Sequence, residues 1–404
     1  MILKLAIRNI LRQKRRSFYT ILSIAVGFSF ASIMIGWRMG TFNLVIDKFT
    51  RAYLGHIQIH ATDYLDRPSL YKNIDDYETV GERIMSVDGV ESWSPRLYAA
   101  GLGTAGDKST AVQIIGIDPT LENDVTAFDN KVEAGKTFSQ KPSHEVILGK
   151  GLMKTIGARI GQEFVIVSQG ADGSIANDMY EITGIIESGN EYSDRIAVYM
   201  HLADAQELMV LENRVHELVI ITEDVRKVDE FASLITAELN EPELETLSWK
   251  KVNVSFYNLI VAKEEAQNVM HLVIMLIIAI GVLNTVLMSV LERIREFGVL
   301  KAVGTRASQI FKLILTETFM MCIIGIVIGI VIGTGVNYGM SIHGIKLPEG
   351  YDLSGVVMDT MKSEVNAQSI YEPAILVLLT SLIVSIYPAL KASRTKPAKT
   401  MRFH

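Results

Sequence analysis

The stretch ERIREFGVLKAVG, Glu292 to Gly304, concentrates the residue types that could couple this chain to a moving partner. Glu292, Arg293, Arg295 and Glu296 put charges of both signs on a short helix, and Lys301 follows. Gly298 and Gly304 permit tight chain reversal and close approach of another backbone. Such a helix can sit in a cleft on a partner and move with it. An ordinary charged loop between two spans fits the same composition. Glu317 is an acid within an apolar run, where carboxylates are costly and functional by default. It lies about one turn from Lys312, which favours an ion pair or a contact to the elbow over a proton pathway. His56 and His60 fall in GHIQIH, which alternates like a strand and turns both rings to one face with Gln58, expected to be solvated. No acidic cluster accompanies them, so no metal site is expected. GxxxxGK[ST] does not occur, so no phosphate-cradling loop is present. The chain is therefore not read as an enzyme or as a holder of its own cofactor. If ATP and Mg drive this chain, a separate nucleotide-binding subunit must bind them.

The elements that must position these residues are long and apolar. Val269 to Leu291 carries no charged residue, and Leu313 to Val336 carries only Glu317. About 20 apolar residues span a bilayer as a helix. Two further runs, near Phe18 to Trp37 and Ala374 to Leu390, bring the expected spans to four. Basic residues cluster before the first span (Lys4, Arg8, Arg12, Lys14, Arg15, Arg16), between the second and third (Arg293, Arg295, Lys301, Arg306, Lys312) and after the fourth. This pattern places both termini and the elbow in the cytoplasm. Residues 41–265 hold 20 Lys+Arg against 37 Asp+Glu, a balance of −17 beside −6 for the whole chain, and belong outside. The first apolar run is longer than a signal-peptide core and reads as an uncleaved anchor. Cys322 is the single cysteine, so no disulfide within the chain can form.

Residues 1–17 read as an amphipathic helix in the inner membrane interface, with Leu3, Ile7, Ile10 and Leu11 on one face. Beyond Trp37, apolar residues continue at helical spacing to Gly55, and Phe256 to Asn268 leads into the second span in the same way. These extensions make two stalks. Between them, short strands, helices and glycine-rich turns without regular alternation argue for α+β. The expected fold is thus an α-helical membrane protein with four transmembrane helices and an inserted α+β extracytoplasmic domain on helical stalks. Its parts are the spans 18–40, 266–291, 311–337 and 373–390, the outer domain 41–265, the elbow 292–310, a second external loop 338–372 and the tail 391–404. Phe28, Met34, Met39, Phe42 and Phe49 suggest an adaptable apolar track, for cargo or for a second permease, though lipid-facing packing explains such residues as well.

ERIREFGVLKAVG, preceded by Asn284, resembles the signature of the FtsX/MacB-type permeases of ABC transporters. The ending YPALKASRTKPAKTMRF and the position of Glu317 are similar to the same family. LGKGLMKTIGARIGQEF and TGIIESGNEYSDRIAVYMHLADAQEL resemble its periplasmic core, closest in wording to the lipoprotein-releasing LolC/LolE permeases. The resemblance implies a bacterial inner-membrane permease subunit that moves an amphiphilic cargo outward by mechanotransmission. Its implied partners are a cytoplasmic ABC ATPase subunit, a second permease copy or homologue, the lipid membrane, and lipoproteins with a periplasmic carrier. No nucleic acid is expected. MacB-like efflux of peptides or small amphiphiles, and FtsX-like regulation of a periplasmic enzyme, are the alternatives.

Overall fold

The computed structural model describes residues 2–139, 141–189, 191–348, 358 and 360–395. The chain divides into two units. One comprises Met1–Leu44, Ile260–Tyr351 and Met358–His404; the other comprises Val45–Leu259 with Asp352–Val357.

The first unit is helical. Its elements are α1 (Ile2–Arg12), α2 (Lys14–Phe49), α3 (Val254–Glu292), α4 (Ile294–Ala302), α5 (Ala307–His343) and α6 (Gln368–Ser393). Four of them, α2, α3, α5 and α6, are long and apolar enough to cross a membrane. The apolar runs therefore appear as helices, but α5 and α6 overrun the expected 311–337 and 373–390. The loop between them is correspondingly shorter, with a small hairpin pairing Ile345–Lys346 to Thr360–Met361. The last residues of the expected tail, 396–404, lie outside the described residues.

What holds these helices together is a ladder of glycines that the sequence reading passed over. Gly325, Gly329 and Gly333 recur every fourth residue on α5 and face α2. A Cβ at Gly325 would come 2.7 Å from Ile24, one at Gly329 would come 2.6 Å from Phe28, and one at Gly333 would come 3.1 Å from Ser32. Small residues at this spacing let two helix backbones approach where the hydrophobic effect gives no drive between spans. Polar groups complete the contact. Ser29 donates to the Gly329 carbonyl at 3.2 Å, and Asn337 donates to the Ser32 carbonyl at 3.0 Å while accepting from Ser363.

The second unit is a ten-stranded mixed sheet with helices packed on it. Its strands are β1 (Ile57–Ala61), β2 (Val90–Ala105), β3 (Lys108–Ile117), β4 (Val132–Gly135), β5 (Glu145–Gly149), β6 (Glu163–Gln169), β7 (Ile175–Ile186), β8 (Ala197–His201), β9 (Glu217–Thr222) and β10 (Leu244–Ser248). The order is β10-β1-β9-β2-β3-β8-β5-β7-β4, with β6 joining β2 to β7. Only β3·β8 and β5·β7 are parallel, so the sheet is α+β rather than doubly wound. β1 lies between β9 and β10. Both of its faces are covered, so His56, Gln58 and His60 are buried, which corrects the solvated face expected for them. His56 accepts the Thr222 N–H, and His60 lies 3.2 Å from the His216 carbonyl and 3.0 Å from Gln58 Oε1. These rings serve sheet packing; among the described residues no group that could hold a metal forms.

Within this unit the end of α2 is fixed to the sheet. The helix finishes in a widened turn, Thr50–Leu54, and stops at Gly55, whose φ of 72° suits glycine. Its last carbonyls are met by buried cations. Arg96 of β2 donates to Tyr53 O at 2.7 Å, and Lys131 donates to Ala52 O. Cations at a helix C-terminus complement its dipole. Arg96 also bonds Glu122 at 2.7 and 3.0 Å and Glu217 at 3.1 Å. Burial opposes ionisation of Glu122, but the Arg96 guanidinium and its hydrogen bonds hold the carboxyl below its usual range. Burial pulls Lys131 down to about 8. Nearby, Phe49 stacks on Phe256 at 3.7 Å, joining the two helical extensions that the sequence suggested as stalks.

Candidate functional site

The elbow is built from α4 and the turn after it. α3 ends at Glu292 and α4 begins two residues later, so the polypeptide bends where charge replaces apolar residues. Gly304 has φ 103° and ends the segment in open space. It therefore serves chain reversal, whereas close backbone approach, the other role expected of it, is not what the fold uses there. Gly298 is buried next to buried Phe297 on the inner side of α4.

Most of the expected coupling charges are turned toward their own chain. Arg293 is buried and donates to Glu317 at 2.8 Å and to Glu296 at 3.1 Å, with its guanidinium 5.0 Å from the Phe297 ring centre. Glu317, also buried, accepts from Asn9 of α1 at 2.6 Å on its other oxygen. Of the two structural partners considered for this acid, it is the elbow and not Lys312 that supplies the cation. Arg12 pairs with Glu296 and Arg16 pairs with Glu292. Lys301 donates to the carbonyls of Ser393 and Thr395 at 2.7 and 2.8 Å, closing the end of α6. A small polar cleft with Asn9, Arg16, Arg293 and Glu317 on its walls lies inside this network. Arg12 of α1 and Arg16 at the start of α2 thus pair with the elbow across roughly 280 residues, a relation that local spacing does not encode.

An apolar ridge is also left open. Val299, Leu300 and Val303 are 54, 39 and 83% exposed, beside exposed Arg295. This apolar ridge lies beside exposed Glu292, Arg295 and Glu296, so the elbow's open surface carries both kinds of residue. The signal was present as the VLKAV segment, but polar neighbours drew the reading toward charge.

The expected apolar track divides. Phe28 is fully buried in the helical core against α5, so it is not an open cargo surface. Phe28 and Phe30 sit about 200° apart on a helix, and only Phe30 faces out. Met34 packs on the same core, and Met39 lies 3.2 Å from the Asn366 amide. Phe42 is half-buried, and Phe49 is occupied by Phe256. The exposed stripe on α2 is instead Leu22, Val26 and Phe30, spaced by four.

Two family models cover this architecture. A MacB-like periplasmic core domain matches residues 17–238, and an FtsX-like permease C-terminal domain matches residues 268–397. The chain belongs to the FtsX/MacB-type permeases of ABC transporters. Among curated proteins it is similar to the lipoprotein-releasing system transmembrane protein LolC of Neisseria meningitidis, 23% identical over 97% of each chain. It is also similar to LolE of Haemophilus influenzae, 22% identical over 95% of this chain and 93% of that one. With the macrolide export ATP-binding/permease protein MacB of Bartonella henselae it shares 24% identity over 83% of its own length and 50% of that protein.

Proposed function

We propose that this chain is the permease subunit through which a separate ATPase extracts lipoproteins from the outer leaflet of a bacterial inner membrane. The observation that carries this reading is the elbow. Its charged side is tied to α1, α2 and α6, while Val299, Leu300 and Val303 stand exposed on the same helix. A partner gripping that ridge would move the ends of α3 and α5 together with it. End-to-end similarity to LolC and LolE supports lipoproteins as the cargo. In this reading both termini and the elbow are cytoplasmic, the sheet domain is extracytoplasmic, and a second permease completes the assembly. Phe30, with Met34 one turn further toward the outer end of the span, replaces the buried Phe28 as the apolar surface near the cargo.

Reconstitution with the ATPase subunit tests the proposal. Val303→Asp with Val299→Asp should abolish ATPase association while the chain still inserts. Photo-crosslinkers at Val26 and Phe30 should capture acylated protein that ATP turnover releases. Association unchanged by the double substitution would remove the ridge from the mechanism. Crosslinks to unacylated peptides or small amphiphiles alone would replace lipoprotein release with MacB-like export, the reading that the Bartonella henselae relative favours. Reporter fusions at Asp172 and Met361 should both report the outside, and an inside signal at either would overturn the orientation.

A further inference from the structure

The sheet domain contains an acidic pocket unrelated to the elbow or the apolar stripe. It opens between the start of β7 and the helix Leu202–Met209, with His144, Asp178, Asp204 and Glu207 on its walls. Asp178 lies 3.1 Å from His144 Nδ1. Asp204 is only 5% exposed, and its Oδ2 has no hydrogen-bond partner among the described residues. A buried carboxylate oxygen without a donor is costly. The charges acting on Asp204 come from two imidazoles, His144 and His201, and from the like-charged Glu207. The Tyr180 phenol, stacked on His144 at 5.5 Å, is pushed up by burial and then by Asp178, Asp204 and Glu207 together. Three carboxylates thus share one small region.

The walls are held in place at some cost. His144 and Val210 both adopt left-handed backbone, with φ of 50° and 56°. For a β-branched residue such as Val210 this is strained. The rim is apolar, with Ile175 83% exposed and Val210 46% exposed.

We propose that this pocket binds a guanidinium group. The unpartnered Asp204 oxygen calls for a hydrogen-bond donor, and the surrounding negative potential calls for a cation. A guanidinium offers five N–H donors in a planar fork, enough to serve carboxylates on two sides at once. A divalent metal is the poorer fit, because no set of three His, Cys, Asp or Glu side chains among the described residues is placed to ligate one. The apolar rim suits the alkyl stem of the same ligand. The guanidinium could come from a free small molecule or from an arginine on a polypeptide.

The full chain in lipid nanodiscs is titrated with ethylguanidinium, with acetyl-Leu-Arg-Leu-amide and with the matching citrulline peptide, which keeps the shape and loses the charge. Saturable binding of the arginine peptide is expected, at least about tenfold tighter than the citrulline peptide. Asp204→Asn and, separately, Glu207→Gln should each weaken it about tenfold, roughly 1.4 kcal/mol. Glu207 is exposed, so its variant tests the site even if the Asp204 variant folds poorly. An arginine peptide that binds more tightly than ethylguanidinium supports a polypeptide source; equal binding supports a free ligand. No saturable binding, equal binding of citrulline, unchanged affinity in the Glu207 variant, or displacement by stoichiometric calcium chloride would each overturn the proposal. None of these readouts involves ATP or cargo, so they stand apart from the transport reading.

Discussion

Both units bury an arginine against carboxylates, and the two clusters differ in how they are closed. Arg96 sits in the sheet domain with Glu122, Glu217 and the Tyr53 carbonyl, all buried. Arg293 sits at the elbow with buried Glu317, but its other partner, Glu296, is exposed and shared with Arg12. Around it Arg12 and Arg16 add pairs open to solvent. A sealed cluster resists rearrangement, because parting any member strands a charge in low dielectric. An open one can exchange partners, because water compensates whatever is released. The sheet-domain cluster is therefore suited to holding a helix end rigid, and the elbow cluster to changing with the state of a partner.

Removing the central arginine should break this contrast most clearly. Arg96→Met leaves Glu122 and Glu217 without their cation and should cost about 3–5 kcal/mol, read from thermal unfolding of the purified chain. Arg293→Met, which leaves Glu296 exposed and Glu317 still accepting from Asn9, should cost visibly less in the same assay. Equal losses would mean that the two clusters are closed alike.

A second test concerns the membrane unit's own close packing. Gly329→Leu drives a side chain into Phe28 and should cost about 1–3 kcal/mol, with Phe28→Ala recovering part of the loss. Failure of that recovery would remove the ladder as the reason α2 and α5 approach.

The third sharpens the comparison by pH. The folded-state pKa of Glu122 lies below its unfolded value, so its pairing contributes in full above the usual carboxylate range and is lost as pH falls through the depressed value. Acid unfolding of the wild type should therefore be steeper than that of Glu122→Gln, which starts less stable but has no such proton to take up. Parallel acid curves would place the acid sensitivity elsewhere.

The smallest effect belongs to the exposed pairs. Exchanging charges by Arg16→Glu with Glu292→Arg should change stability by at most about 1 kcal/mol, while either single change should disturb ATPase coupling more than folding. Normal coupling in both single variants would make these pairs inert surface contacts.

Legibility in the sequence followed the range of the interaction. The spans were readable because an apolar run longer than a bilayer's thickness has few other fates. Strands such as Val146–Leu148 and Leu218–Ile221 were readable as short β-branched runs between turns. β2 escaped, since Pro95, Gly101 and Gly103 interrupt its alternation, and its sixteen residues are held by pairing with β3, β6 and β9. The elbow's position was legible from its charges, but not their orientation, because the partners Asn9, Arg12 and Arg16 lie at the far end of the chain. Phe28 was misplaced for a different reason: grouping it with Phe30 ignored the 3.6-residue turn. The glycine ladder was written plainly as GIVIGIVIG and was passed over because its apolar content was read before its spacing.

The length of α2 has a geometric consequence. At 1.5 Å per residue its 36 residues reach about 54 Å, well beyond the roughly 30 Å of a hydrocarbon core. It is therefore a lever arm. Tilting by about 10° about its Lys14 end, the part of this rod within the helical unit would carry Leu44 through about 8 Å. Sub-ångström adjustments at one end of such an arm are multiplied into movements the size of a side chain at the other.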